Sequence, residues 1–107
     1  MQVHFNGYDC HLNFGQYRNG AKAITLVSSK DGSPVAVATV NIEDYPLEDD
    51  EILVKDYSEN EGIHQALLNA NIVHTIPSGT TSTGYVEVSC LRLTQEALEA
   101  YNKAKGG

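Results

Sequence analysis

Residues 55–72 have the sequence KDYSENEGIHQALLNANI and separate a β-rich first half of the chain from a shorter second half. Ser58 and Glu61 have the spacing of a capping box. In that motif the serine hydroxyl accepts from the backbone N–H near the glutamate, and the carboxylate reaches back to the N–H of the serine. The pair therefore predicts that a helix begins at Ser58.

Apolar residues follow this capping box at helical spacing. Ile63, Leu67 and Ala70 recur every three or four residues, which is typical of one buried helix face. Asn71 follows them and tolerates the left-handed conformation in which many helices end. The segment therefore predicts a helix over residues 58–71.

The composition and length favour one small globular domain. The chain has 107 residues, of which 41% are hydrophobic and 20% are charged. A chain of this length buries roughly 60–70% of its unfolded surface, which gives a core without support from metal ions or disulfides. We therefore predict a single α+β domain over residues 1–107.

The charge balance argues against several classes of partner. Fourteen acidic residues against seven basic ones give a formal net charge of −7, whereas broad contact with nucleic acid or an anionic membrane needs clustered Lys and Arg. The chain has no run of about 20 apolar residues, and its first residues lack the features of a signal peptide. We expect a cytoplasmic location, no direct nucleic-acid partner and no membrane partner.

The two cysteines, Cys10 and Cys90, each lie in an alternating, strand-like pattern without a dense cysteine framework around them. We expect reduced thiols, which also fits a cytoplasmic location. No pair of cysteines or histidines has the Cys-x-x-Cys or His-x-x-x-His spacing of a metal site. The sequence therefore predicts no metal and no cofactor.

A hairpin is predicted at the start of the chain. Asn6-Gly7 stands between two alternating runs, at residues 2–6 and 8–14. Both turn residues tolerate the positive φ of a type I′ turn, so this pattern is the strongest short hairpin signal in the chain.

A second hairpin is predicted at residues 21–28 and 35–42, which Asp31-Gly32 joins with a turn-forming pair. The run at 35–42 is apolar on both faces until its last two residues. We therefore expect a central strand that is covered by the helix at 58–71.

Residues 43–61 hold nine of the fourteen acidic residues, with only Lys55 to oppose them in that segment. Pro46 forbids a regular helix at its start, so we predict a loop with a short strand at residues 52–54. Concentrated like charge attracts a basic partner, although a solvated loop that keeps the protein soluble is the simpler interpretation. The candidate interaction surface consists of Glu48, Asp49, Asp50, Glu51, Asp56, Tyr57, Glu59 and Asn60.

The second half contains one clear strand and one helix. Residues 72–76 are a brief strand candidate, and residues 77–84 are small, polar and turn-rich, so we expect a mobile loop there. Residues 85–93 alternate strictly and predict a strand. Thr94 is placed to cap a final helix over residues 95–104.

Catalytic and ligand-binding interpretations are weaker than this structural one. Gly79 and Gly84 have the spacing of a phosphate-binding loop, but Tyr85 occupies the position of the required lysine, so a hairpin loop fits better. An enzyme requires a histidine beside a thiol or carboxylate in one concave site. The candidates for such a set are His11, His64, His74, Cys10, Asp56 and Glu59. We predict no catalytic residues.

Four motifs follow one another in the chain, at residues 8–17, 38–42, 54–62 and 84–93. Their order resembles a domain family of unknown function from gut and other bacteria, often found on plasmids, integrative elements and phages. The resemblance covers roughly residues 5–95 and is densest in Lys-Asp-Tyr-Ser-Glu-Asn-Glu-Gly at residues 55–62. It implies a mobile-element setting and supplies no catalytic residue.

These patterns predict an α+β fold, an antiparallel sheet of about five strands with two helices packed on one face. The sheet consists mainly of the two N-terminal hairpins and the strand at 85–93. Our first functional hypothesis is a non-catalytic cytoplasmic protein-binding or regulatory module. The second is an acidic inhibitor of host defence or restriction, whose residues 43–61 imitate nucleic-acid phosphate and bind a basic protein. A small enzyme is the third.

Overall fold

Seven strands, two α-helices and one short 3-10 helix form the fold in the computed structural model, which describes residues 1–105. Gly106 and Gly107, which we expect to fray, lie outside the described residues. The strands are β1 Gln2–Phe5, β2 Tyr8–Gln16, β3 Lys22–Ser28, β4 Pro34–Val37, β5 Glu51–Val54, β6 Gly79–Thr83 and β7 Val86–Arg92. The helices are the 3-10 helix Ser58–Asn60, α1 Ile63–Asn69 and α2 Gln95–Ala104.

The first sheet is antiparallel with the strand order β1-β2-β3-β4, and both predicted hairpins are confirmed in it. β1 and β2 meet at the pair Phe5↔Tyr8. Between them Asn6 has φ 55° and Gly7 has φ 85°, so both turn residues occupy the positive-φ region that a type I′ turn requires.

β4 differs from the central strand predicted at residues 35–42. It covers Pro34–Val37, lies at the edge of the first sheet and contains a β-bulge in its pairing with β3. Beyond it, the N–H of Ala38 bonds to the C=O of Ile24, and the C=O of Ala38 accepts from Lys55, which follows β5. The run is apolar on both faces because the chain passes there from one sheet to the other.

The second sheet has the strand order β5-β7-β6 and is antiparallel throughout. The strands predicted at 52–54 and 85–93 are confirmed as β5 and β7. The prediction of a mobile loop at 77–84 is wrong, because Gly79–Thr83 pairs with β7 along its whole length. Threonine is favoured in strands, and three of these five residues are threonine.

The helix predicted at 58–71 is broken, and the predicted capping box is wrong. Ser58 has φ 55° and begins the 3-10 helix, and the N–H of Glu61 bonds to the backbone C=O of Ser58 rather than to its hydroxyl. Gly62, at φ 98°, redirects the chain, so that α1 begins at Ile63.

The Asp56 side chain caps α1 in place of Ser58. Its Oδ1 accepts from the N–H of Gly62 at 2.8 Å and from the N–H of His64 at 3.3 Å. The other end of the helix follows the sequence pattern, since Asn71 has φ 60°. The Asp56 carboxylate, at the N-terminal end of α1, also interacts favourably with the helix dipole.

We expect Asp56→Ala to lower the free energy of unfolding by about 1 kcal/mol, as the loss of a helix cap does. Ser58→Ala is expected to change it by less than about 0.5 kcal/mol, because the Ser58 hydroxyl does not cap the helix. Urea unfolding followed by circular dichroism measures both. Equal losses for the two variants would contradict the assignment of the cap to Asp56.

α2 is confirmed at Gln95–Ala104, with Thr94 Oγ1 accepting from the N–H of Ala97 at 3.2 Å. It contacts β2 through Tyr101, whose hydroxyl donates to the C=O of Gly15 at 2.7 Å. α1 instead lies beside β1. The α+β class is therefore confirmed, but the predicted single sheet of about five strands with both helices on one face is replaced by two sheets that contain seven strands.

The main hydrophobic core lies between the sheets and the helices and includes Ile24, Ile52, Leu67 and Leu91, none of which is exposed. The predicted strand at 72–76 is reduced to an isolated bridge between Val73 and Leu93. Ile72 and Val73 belong to the core, whereas residues 74–76 are exposed. No helix within residues 1–105 is long and apolar enough to cross a membrane.

A second, smaller cluster covers the other face of the second sheet. It consists of Leu53, Val88 and Cys90, and apolar side chains between residues 40 and 57 pack against it. These side chains anchor the acidic segment to the sheet. Cys10 and Cys90 are both buried free thiols, which confirms the expectation from the sequence.

Candidate functional site

Residues 43–51, here called the acidic loop, contact a basic residue that is far from them in the sequence. Arg92 of β7 lies 2.6 Å from Asp50 Oδ1 through Nη1, and its Nη2 lies 3.3 Å from Glu48 Oε1 and 3.6 Å from Glu51 Oε2. Lys55 is therefore not the only base that opposes the acidic residues. One guanidinium offsets part of the charge of three carboxylates.

Lys22 of β3 holds the same loop from the other side. Its Nζ donates to the backbone C=O of Asp49, lies 3.4 Å from Asp49 Oδ1 and lies 4.8 Å from the centre of the Tyr101 ring. The side chains of Glu48 and Asp49 remain 73% and 85% exposed. They form the part of the predicted acidic surface that faces solvent.

Glu51 is buried and connects the acidic loop to the start of β6. Its Oε2 accepts from the hydroxyl of Ser78 at 2.6 Å, and its Oε1 accepts from the N–H of Glu48 at 2.7 Å. The Ser78 bond is the largest of the contacts that hold the pKa of the Glu51 carboxyl below its ordinary value, followed by the Glu48 bond. Glu51 is therefore an internal structural residue.

Lys55 organises the exposed part of residues 55–59. Its Nζ lies 2.7 Å from Glu59 Oε2 and 5.6 Å from the centre of the Tyr57 ring. The bond to Lys55 lowers the pKa of Glu59 from its ordinary value. The ion pair with Lys55 offsets the charge of Glu59, which reduces the negative charge that this part of the chain presents.

Asn60 has a structural role that its sequence position does not reveal. Its side chain is 1% exposed, and its Nδ2 donates to the C=O of Val37 in β4 at 2.6 Å. With Asp56 capping α1, two more residues of the predicted surface have an internal role. The predicted surface therefore consists of residues with structural contacts and residues that face solvent. Among its carboxylates that form ion pairs, those of Glu48 and Asp49 are the most exposed.

Three surface clefts within residues 1–105 bring together no histidine with a thiol. One of about 440 Å³ lies between residues 19–22 and 43–51, one of about 590 Å³ between the turns at 7–9 and 28–33, and one of about 270 Å³ along β4. Their linings include no histidine and neither cysteine.

The two thiols are poor nucleophiles in this fold. Burial raises the pKa of both Cys10 and Cys90, so the reactive thiolate is scarce at neutral pH. Among residues 1–105, no three His, Cys, Asp or Glu side chains are grouped closely enough to hold a metal ion. His64, a candidate from the sequence, lies on α1 with a buried Nε2 that has no hydrogen-bond partner among these residues.

The surface with the clearest binding chemistry is the open edge of β6. β6 ends the second sheet, pairs with β7 on one side and keeps the same register from Gly79↔Cys90 to Thr83↔Val86. Its residues carry no charge and include no proline. An edge strand of this kind presents unpaired N–H and C=O groups to another chain.

β4, one of the two edge strands of the first sheet, is protected by comparison. It begins with Pro34, contains a β-bulge and has the C=O of Val37 occupied by the Asn60 side chain. Proline and bulges are the features by which natural sheets prevent pairing at their edges. β6 has neither of them.

Two exposed apolar side chains flank β6. Ile76 precedes it and is 80% exposed, and Tyr85 follows it in the turn to β7 and is fully exposed. Exposed apolar side chains beside an open edge offer an added strand side-chain contacts in addition to backbone hydrogen bonds. Two features of the sequence indicate this strand and its turn, namely the threonine-rich run at 79–83 and the turn-forming Gly84. The predicted loop over 77–84 did not take them into account.

The motif at residues 55–62, on which the resemblance to a bacterial family is densest, has an internal explanation in this fold. It supplies the cap of α1, the Lys55–Glu59 ion pair and the Asn60 contact to β4. The resemblance therefore stays a prediction. No protein family model, curated protein or solved structure matches this chain.

Proposed function

We propose that this protein is a non-catalytic, cytoplasmic protein-binding module whose docking surface is the open edge of β6. The observation that carries the proposal is an uncharged, bulge-free edge strand flanked by exposed Ile76 and Tyr85. An extended segment of a partner adds to such an edge as a further strand. Backbone hydrogen bonds then supply affinity, and the flanking side chains supply specificity.

The surroundings of β6 favour a preformed surface. Ser78, just before the strand, bonds to the buried Glu51 carboxylate, and its N–H bonds to the C=O of Cys90. The Tyr45 hydroxyl lies against Gly79 so closely that a Cβ there would come within 2.7 Å of it. A strand fixed at its first residues loses little conformational freedom when a partner pairs with it.

The proposal is tested with peptides selected from a random display library on the immobilised protein. We expect extended peptides rich in Val, Ile and Thr, whose affinity for Thr80→Pro falls at least about tenfold because proline removes a backbone donor from the edge. Fluorescence anisotropy measures the affinities. Circular dichroism spectra that match between Thr80→Pro and the wild type exclude unfolding as the cause.

The double variant Glu48→Lys/Asp49→Lys is the matched control, because it changes the most exposed carboxylates of the acidic loop and leaves β6 unchanged. Peptide affinity is expected to change less than about twofold in this variant and in 0.5 M salt, because β6 carries no charge. Binding through charged side chains would instead weaken in salt, which screens exposed charges beyond about 10 Å at 0.1 M. Peptides that lose binding to the charge variant but bind Thr80→Pro normally would contradict the proposal.

The second candidate function is the acidic inhibitor that imitates nucleic-acid phosphate. The exposure of Glu48 and Asp49 favours it, since both side chains are accessible to a basic partner. It has less support than the edge, because Asp50 and Glu51 are paired with Arg92 and Glu51 is buried. Charge reversal as a test of this function is therefore informative at Glu48 and Asp49, whereas at Glu51 it disrupts the interior.

A further inference from the structure

We infer that the open edge of β6 pairs with the same edge of a second copy of this chain, forming a two-fold symmetric dimer with a continuous six-stranded sheet. The inference rests on the proposed function, because it names the partner of that same edge. A two-fold interface uses one surface patch twice, so the patch has to be complementary to itself.

The backbone of β6 meets this requirement. The two-residue turn Gly84-Tyr85 closes the hairpin between Thr83 and Val86, and its hydrogen bond directs the backbone of Thr83 at β7. Backbone groups alternate along a strand, so those of Thr80 and Ser82 face away from β7. Among residues 1–105, neither residue has a hydrogen-bond partner outside the ladder that β6 forms with β7.

An antiparallel pair centred on Thr81 satisfies all of these outward groups. It sets Thr80 of each copy opposite Ser82 of the other, which gives four N–H···O bonds, and it sets the two Thr81 residues opposite each other. Threonine pairs across neighbouring strands are favourable contacts. No charged side chain lies in residues 75–86, so no like charges meet along the edge.

The flanking apolar side chains lie at nearly equal distances along the chain from the centre of the pair. Ile76 lies five residues before Thr81 and Tyr85 four residues after it. The bend that carries Ile76 lies on the same side of β7 as β6, because His74 and Ser78 on either side of it both bond to β7 carbonyls. Antiparallel pairing centred on Thr81 sets Tyr85 of each copy opposite residue 77 of the other, one residue from Ile76, so the two apolar side chains are close enough to pack against each other.

Charge explains why this edge, and not another surface, suits a second copy. Each chain carries a formal net charge of −7, so most approaches bring like charges together. The nearest acidic residue to the edge on the sheet is Glu87 of β7, which is paired with Ser82. The two Glu87 residues of a dimer would be more than about 14 Å apart, because three strand spacings separate them. This distance exceeds the screening length of about 10 Å at 0.1 M salt.

The buried area is enough for a reversible dimer. A buried tyrosine removes about 150–250 Å² from solvent, so two tyrosines, two isoleucines and two five-residue strands bury on the order of 1,000 Å². That value lies at the lower limit for specific interfaces. We therefore expect a dimer that dissociates in the micromolar range.

The test is disulfide trapping of Thr81→Cys in the full chain under mild oxidation. The two Thr81 residues form a pair with Cα atoms about 4.5 Å apart, within the range that a disulfide bridges. Thr83→Cys is the matched control, since the two copies of residue 83 would be about 13 Å apart along the strands. We expect a covalent dimer from Thr81→Cys alone, because the native thiols are buried. Trapping of Thr83→Cys, or of neither variant, overturns the inference.

Sedimentation of the untrapped protein between about 1 and 500 µM gives an independent measurement. We expect Thr80→Pro and Tyr85→Ser each to weaken dimerisation at least tenfold, and 0.5 M salt to leave it unchanged or stronger. Tyr85 is fully exposed at a turn, so Tyr85→Ser leaves the fold intact. A monomer at every concentration overturns the inference, and if selected peptides still require the β6 edge, the proposed function stands without it.

Discussion

Asn60→Asp is expected to lower the free energy of unfolding by about 3–5 kcal/mol at pH 7, although the two side chains have nearly the same shape. The Asn60 side chain is 1% exposed, and its Nδ2 donates to the C=O of Val37 at 2.6 Å. An aspartate has no N–H to donate and sets a buried charge against a carbonyl oxygen. An uncompensated buried charge typically costs this much, a large share of the 5–15 kcal/mol that stabilises a small domain.

The pH dependence identifies the cause of this loss. Burial and the carbonyl raise the pKa of the introduced carboxyl above the unfolded value of about 3.9. Below about pH 3.9 the carboxyl is protonated in both the folded and the unfolded state. Its O–H can then donate to the C=O of Val37, so the loss of stability is small. It grows as the pH rises through the folded pKa.

Asn13→Asp is the matched control, because Asn13 lies exposed on β2 and the same substitution there is expected to change stability by less than about 0.5 kcal/mol. Urea unfolding at pH 3.5 and pH 7 measures both variants. A loss for Asn60→Asp that is as small as that for Asn13→Asp would contradict the role assigned to the Val37 contact.

Local signals in the sequence predict the elements whose causes are local. Asn6-Gly7 defines its hairpin because the two residues alone supply the positive φ values of the turn. Thr94 predicts α2 for the same reason, since its cap bond reaches only to Ala97. Such elements depend on neighbours within a few positions, which a single sequence displays.

Elements with competing local signals, or with causes far away in the sequence, are not predicted. Ser58 and Glu61 have the spacing of a capping box, but the Asp56 carboxylate and Gly62 determine where α1 begins. Residues 79–83 are polar enough to predict a loop, yet they form a strand because β7 supplies hydrogen bonds along their whole length. Tertiary pairing overrides a weak local preference at residues 79–83. At the start of α1 a second local signal, the Asp56 carboxylate six residues before Gly62, replaces the capping box.

The candidate site follows the same division. The acidic run at 48–51 is visible in the sequence, but the bases that partly neutralise it are Arg92 and Lys22, which are 41 and 27 positions away from Glu51 and Asp49. The edge of β6 is invisible until the strand order of the second sheet is known. Net charge and charge runs therefore describe composition, whereas exposed charge depends on the fold.

Glu51→Gln is expected to lower the free energy of unfolding by about 1.5–3 kcal/mol at pH 7, the range for hydrogen bonds to a charged group. The variant keeps the size of the side chain and removes the charge that Ser78 and the N–H of Glu48 stabilise. Loss of the contact also releases the start of β6, because Ser78 precedes that strand by one residue.

Acid titration separates this charge effect from a loss of packing. The folded pKa of Glu51 lies below its ordinary value because of the Ser78 bond first and the Glu48 bond second, so its contribution is fully present above the unfolded pKa of about 4.3 and disappears as the pH falls through the folded pKa. The stability difference between wild type and Glu51→Gln should therefore shrink below about pH 4. Glu43→Gln, an exposed change in the same acidic segment, should follow the wild type at every pH. If the difference in the free energy of unfolding between the wild type and Glu51→Gln stays constant from pH 7 to pH 3, the side chain acts through packing. That result would contradict the role assigned to its charged hydrogen bond with Ser78.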